Sequence, residues 1–159
     1  MRPTYLAPLH FIDLEGSKVP KISLWLLICS LASFALAEVK KTSSNQEIHY
    51  SIVPTLFLSR DIASQHNITR AKDRSFLNIS IKDKSGKALK ALLTGHSENL
   101  LGQREKMIFR EIQEADTIYY LAGIKHGKEE YIKFTAQIQL DRGHLEELKF
   151  EKKLYWGTN

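Results

Sequence analysis

Residues 109–122 read FREIQEADTIYYLA, two strand-like runs around the acidic corner Glu114-Ala115-Asp116. In the first run Met107, Phe109 and Glu111 fall on one face, and Ile108, Arg110 and Ile112 on the other. In the second, Ile118, Tyr120 and Ala122 oppose Tyr119 and Leu121. β-Branched and aromatic residues alternating between polar corners predict strands. Aromatic side chains bury about 150–250 Å² each, so Phe109 is expected as a core anchor joining two sheets. Adjacent strand residues face opposite ways, so one of Tyr119 and Tyr120 belongs to the core and the other to the surface.

Working outward, the same pattern recurs. Glu47 to Val53 predicts a first strand, ended by Pro54, which has no N–H for a ladder. Ser59 has the chemistry of an N-cap for one or two helical turns over 60–66, with Asp61 well placed in the first turn. Phe76 to Ile81 predicts the next strand, and Lys82 to Gly86 a turn in which Gly86 takes a positive φ. Leu89, Ala91 and Leu93 begin a strand running towards Asn99, where Gly95 implies a bulge or a close backbone approach. Leu100 to Gln103 is a loop. Tyr131 to Leu140 alternates most cleanly: Ile132, Phe134, Ala136, Ile138 and Leu140 inward, their neighbours outward. A last strand, Leu145 to Tyr155, buries Leu148, Phe150 and Leu154. About seven strands with one short helix after the first predict an all-β fold, an antiparallel two-sheet β-sandwich of immunoglobulin-like type.

The start of the 159-residue chain carries a different signal. Lys18 and Lys21 precede the apolar run Ile22–Leu36, which ends in Ala35-Leu36-Ala37. A basic flank, a short apolar run and a small-x-small ending describe a secretory signal peptide. The run falls short of the roughly 20 residues of a membrane-spanning helix. The expected organisation is therefore a preface plus signal peptide over 1–37, removed after Ala37, a flexible lead-in over 38–46 and one domain over 47–156. Localisation would be periplasmic. The acidic preface, with Asp13 and Glu15, is atypical for export and fits a start assigned too early, with Val19 as the initiator.

Removal of 1–37 leaves 20 Lys and Arg against 16 Asp and Glu, a net charge of +4, and takes away the single cysteine, Cys29. The remaining chain has no thiol for a disulfide, a nucleophile or a metal. Its five histidines, His49, His66, His96, His126 and His144, lack ligand spacing. His126 and His144 flank one strand about 33 Å long and cannot share an ion. They are expected at the surface or half-buried, and no cofactor or metal is expected. No G-x-S-x-G elbow marks a hydrolase. Glu98, Glu111, Glu114 and Asp116 suit solvated corners better than an acid–base pair. Lysines scattered among acids form no basic stripe with interleaved aromatics, which argues against nucleic acid as the partner and leaves room for a weak attraction to anionic membrane surfaces or cell-wall polymers.

FLNISI (76–81), ENLLGQ (98–103), FREIQEADTIYYLA (109–122) and KFTAQIQL (133–140) together resemble the domain-of-unknown-function family numbered 4426, over Ile48 to Tyr155. The most specific positions are Gln103, Phe109 to Ile112, Glu114, Tyr119 and Tyr120. The resemblance implies an exported gammaproteobacterial β-sandwich without an assigned activity or catalytic residues. The expected function is a non-enzymatic binding or interaction module of the envelope, the alternative being a hydrolase or other enzyme acting on envelope material. The contact candidates are Gln103, Arg110, Glu111, Glu114, Tyr119 and Tyr120. The partner would be another envelope protein or a cell-wall component, with membrane contact only through an uncleaved signal segment.

Overall fold

The computed structural model describes residues 38–41, 46–140 and 143–157. The expected signal peptide and its cleavage point lie outside the described residues, within 1–37. One compact unit, Ala35–Asn159, holds every described element.

The chain is mostly β. In order come β1 (Glu38–Lys41), β2 (Glu47–Pro54), a 3-10 turn (Thr55–Phe57), α1 (Arg60–Gln65), β3 (Arg74–Lys82), β4 (Ala91–Asn99) and β5 (Arg104–Met107). Then follow β6 (Phe109–Glu114), β7 (Thr117–Lys125), β8 (Glu129–Leu140) and β9 (Leu145–Tyr155). They form two antiparallel sheets, one ordered β1-β2-β3-β7-β6 and the other β5-β4-β8-β9. α1 starts as expected: the Ser59 hydroxyl accepts the Ile62 N–H at 3.2 Å.

The two sheets share one core. Leu77, Ile79 and Ile81 of β3 and Tyr120, Ala122 and Ile124 of β7 meet the five inward residues of β8. All five expected inward residues of β8 are buried. Burying such a side chain is worth about 1.5–3 kcal/mol, so β8 alone contributes much of the drive to fold. Leu148 and Leu154 of β9 are buried, and Phe150 stacks on Phe134 with ring centroids 4.9 Å apart.

Nine strands are described where about seven were expected. One addition is β1, placed in the flexible lead-in by the sequence reading. Its backbone pairs with β2, and Glu38 accepts hydrogen bonds from the Tyr50 hydroxyl at 2.9 Å and Lys152 at 3.1 Å. Those two bonds hold the Glu38 carboxyl below its usual range, while burial and then Glu38 push the Tyr50 hydroxyl up to about 12. A polar edge strand thus ties β2 to β9.

The other addition comes from a crossing. Residues 104–114 carry two consecutive strands, but the chain changes sheet between them at Ile108, whose side chain is left 79% exposed. Met107 belongs to β5 and packs beside Gly95; Phe109 begins β6 opposite Ala122. Phe109 is half-buried against the core, so it is a lesser anchor than expected. The stronger link between the sheets is Tyr120, 2% exposed, whose hydroxyl accepts the Ala91 N–H at 2.8 Å. Gly95 is the predicted close approach. A Cβ there would stand 2.4 Å from the Thr135 carbonyl oxygen and 2.9 Å from Met107 Cε.

Candidate functional site

The six contact candidates do not converge. Tyr120 is core, because it shares its face with Ala122 and Ile124; Tyr119 is the outward member of the pair and is half-buried. Glu111 lies opposite Tyr120 at an open edge, where it meets Lys90 at 3.2 Å. Arg110 is exposed on the other face, opposite Leu121, as its orientation away from Phe109 required. Glu114 closes the β6–β7 hairpin opposite Thr117, beside Ala115, whose φ is 47°. Gln103 sits at the other end of the molecule, in the β4–β5 turn.

The other chemistry considered from the sequence is occupied. Glu98 pairs with Arg104, and that hydrogen bond holds its carboxyl below the usual range. His49 stands 3.5 Å from Glu47 and His144 3.3 Å from Glu146, each a pair rather than a cluster. Among the described residues, no three His, Cys, Asp or Glu side chains are grouped to hold a metal. His126, expected at or near the surface, is instead 5% exposed. Its Nε2 lies 3.0 Å from the Ser75 hydroxyl and its Nδ1 2.9 Å from the Gly127 carbonyl. The tautomer protonated on Nδ1 satisfies both, with the serine O–H donating to Nε2. Ser75 is 2% exposed, so this serine and histidine pair with each other in the interior and present nothing to a substrate.

What stands out is a turn built twice. In Asp83-Lys84-Ser85-Gly86-Lys87, the Asp83 carboxylate accepts the Ser85 and Lys87 N–H groups at 2.8 and 3.0 Å. The Asp83 N–H donates to the Lys87 carbonyl, the Gly86 N–H to the Asp83 carbonyl, and Gly86 has φ 83°. In Asn99-Leu100-Leu101-Gly102-Gln103 every one of these bonds recurs. The Asn99 amide oxygen accepts from the Leu101 and Gln103 N–H groups at 3.1 and 3.0 Å. The Asn99 N–H donates to the Gln103 carbonyl, the Gly102 N–H to the Asn99 carbonyl, and Gly102 has φ 75°. The Gln103 side chain adds a 2.8 Å bond from the Asn99 amide, so its role is to stiffen the turn. A three-residue loop closed by a left-handed glycine is a common hairpin connection. The tips differ, and with them one side-chain bond each: the Ser85 hydroxyl donates to the Asp83 carboxylate at 2.6 Å, where the Asn99 turn has the Gln103 bond. One tip carries Lys84 and Ser85, the other Leu100 and Leu101, which are 72% and 83% exposed.

The leucine tip has neighbours. Leu100, Leu101, Tyr131 and Lys153 line one open hollow. Tyr131 and Tyr155 are about half exposed, at 48% and 56%. The Lys153 ammonium lies 5.1 and 5.3 Å from their ring centroids and is paired with Glu129, which raises its pKa first of all. A lysine this close to two ring faces makes cation–π contacts that gather the three side chains into one platform on the sheet face. The sequence reading passed over this group. It treated Leu100 and Leu101 as loop and the outward residues of β8 as solvated.

The family model for a domain of unknown function, DUF4426, matches residues 40–157. The chain belongs to the DUF4426 family. A DUF4426 protein of Pseudomonas aeruginosa has 24% identity and a TM-score of 0.69, over 77% of this chain and 97% of that one. FetP of a uropathogenic Escherichia coli strain has 14% identity and a TM-score of 0.57, over 79% and 97%. A copper-bound FetP variant gives 14% and 0.55, over 77% and 97%. These likenesses are of fold. No curated protein matches the chain. DUF4426 membership covers both copies of the turn and the tyrosine platform, so the leucine tip belongs to the family domain and is not an appendage.

Proposed function

We propose that this DUF4426 protein is a non-enzymatic binding or interaction module of the bacterial envelope, exported by the signal peptide and processed after Ala37. Its scaffold on this reading is an immunoglobulin-like β-sandwich, supported by two antiparallel sheets that share one core. The observation that carries the function is the leucine tip. The Asp83 turn forms the same backbone bonds and the same two bonds to a side-chain oxygen with a lysine and a serine at its tip, so the turn itself does not require leucines. Two neighbouring leucines held in water by a clamped turn, beside two exposed tyrosines, have the composition of a contact surface. The copper belongs to the FetP variant, a likeness of fold at 14% identity.

Site-specific photo-crosslinking in intact cells tests this. A benzophenone side chain at position 101 is expected to give a discrete adduct, and the same group at the equivalent position 85 is not. Equal labelling from both turns, or none from position 101, would overturn the reading. Mass spectrometry of the same preparation is expected to find Glu38 at the N-terminus. A retained segment before Glu38 would remove the export half of the proposal.

A further inference from the structure

The leucine tip lies at one end of the domain with several other connections. Antiparallel pairing puts the chain leaving β2, β4, β7 and β9 and the chain entering β3, β5 and β8 at that end. Bonds across the loops confirm the grouping: the Trp156 N–H donates to the Lys128 carbonyl and the Gly157 N–H to the Lys72 carbonyl. Five of the nine exposed large apolar side chains among the described residues lie at this end. Leu100, Leu101, Tyr131 and Tyr155 are joined by Phe57, 58% exposed at the end of the 3-10 turn.

Basic charge is concentrated here too. Arg74 and Lys125 are both exposed and stand directly opposite each other at the ends of β3 and β7. Like charges in that position destabilise a sheet. Exposed Lys72 lies 4.3 Å over the Trp156 ring, and exposed Lys128 is in the adjoining β7–β8 turn. With Arg60 and Arg70 of the 55–74 connection counted, the basic residues outnumber the nearby acids, of which Glu129 is neutralised by a lysine. That lysine is Lys153, and Glu130 accepts the Gly127 N–H at 2.6 Å. Asp61 and Asp73 are the remaining acids of the 55–74 connection.

We propose that this end docks on an anionic phospholipid bilayer, with Leu100 and Leu101 entering the headgroup region and the basic residues meeting lipid phosphates. Apolar side chains that dip into the interface, interfacial tyrosines and a surplus of Lys and Arg are what such a surface selects. Each basic residue near an anionic membrane adds about 1 kcal/mol, so no deep pocket is needed. This goes beyond the expectation of membrane contact through an uncleaved signal segment and gives a place to the weak anionic-surface attraction that the basic charge allows. It rests on the reading of the leucine-tipped end as a contact surface.

Co-sedimentation with phosphatidylcholine vesicles, with and without phosphatidylglycerol, tests it. The exported protein is compared with Arg74→Glu/Lys125→Glu and with Leu100→Ser/Leu101→Ser. All three share one N-terminus, so any contribution from residues 1–37 is common to them. The expected result is binding only when phosphatidylglycerol is present, lost at high salt, and weakened about tenfold or more by either double variant. Binding to pure phosphatidylcholine equal to that with phosphatidylglycerol would overturn the proposal. So would binding that neither double variant weakens. Equal binding to soluble polyphosphate, unaffected by Leu100→Ser/Leu101→Ser, would replace the bilayer with an anionic polymer. Absence of vesicle binding together with a position-101 adduct to a protein would overturn the bilayer and leave the contact surface standing.

Discussion

The Asp83 turn and the Asn99 turn have one backbone and two surfaces. In each, a short side-chain oxygen takes two N–H groups, and a glycine with φ near 80° reverses the chain. At Asp83 the tip is Lys84-Ser85, as a water-facing hairpin prefers. At Asn99 it is Leu100-Leu101, a choice that costs solubility and gains nothing in the turn itself. The difference teaches that the fold fixes the shape of a hairpin while leaving its tip free, which is what lets the proposed reading assign the leucines to contact.

The frame between the turns is where substitution should do most damage. β4, which leads into the leucine tip, carries Gly95 against β8 and β5 at once. Gly95→Ala puts a Cβ against the Thr135 carbonyl and the Ala136 Cα, neither of which can swing aside. The expected loss is about 3 kcal/mol in a urea melt, the upper part of the range for overpacking. A near-neutral result would mean that the sheet is looser here than the structure has it.

Next come the two turn glycines. Gly86 and Gly102 have positive φ, and a Cβ on either meets nothing within 4 Å. Backbone strain alone then sets the cost of Gly86→Ala and Gly102→Ala, about 1–2 kcal/mol each. Equal losses sharpen the equivalence of the turns; a Gly102→Ala loss much larger than its counterpart would break it.

A smaller, pH-dependent effect separates them. The Ser85 hydroxyl, followed by the Lys87 and Ser85 amides, holds the Asp83 carboxyl below its ordinary value. A depressed folded-state pKa gives stability that is present above the ordinary carboxylate range and lost as pH falls through the lower value. Amide protection of Ser85 and Lys87 should therefore fall below about pH 4, relative to intrinsic exchange, while that of Leu101 and Gln103 holds. Asp83→Asn should abolish the fall. The same decline at the Asn99 turn would show that acid loosens the whole domain instead.

Much of the fold was legible because period-2 burial is a strong signal. β8 was read correctly on both faces, and Ser59, Gly86 and Gly95 announced a cap, a turn and a close approach. The crossing at Ile108 was not legible. Both sheets face the same core, so Met107 and Phe109 stay inward on either side of it and the alternation runs on unbroken. β1 was hidden for another reason: an edge strand joined by backbone bonds needs no apolar face, and Glu38-Val39-Lys40 resembles a linker. On the most regular hairpin, period-2 alternation separates Tyr119 from Tyr120 and leaves open which of them is core; the structure makes it Tyr120. The signal behind the proposed contact surface is also in the sequence, the likeness of DKSGK to NLLGQ with leucines in place of polar residues.

The most direct test of the account is a urea melt of Leu100→Lys/Leu101→Ser, which gives the Asn99 turn the tip of the Asp83 turn. If the leucines serve contact and not the fold, stability should stay within about 0.5 kcal/mol of the unsubstituted protein, as for surface substitutions generally. A loss of about 2 kcal/mol or more, the range for a leucine removed from packed surroundings, would place them in the core and contradict the account.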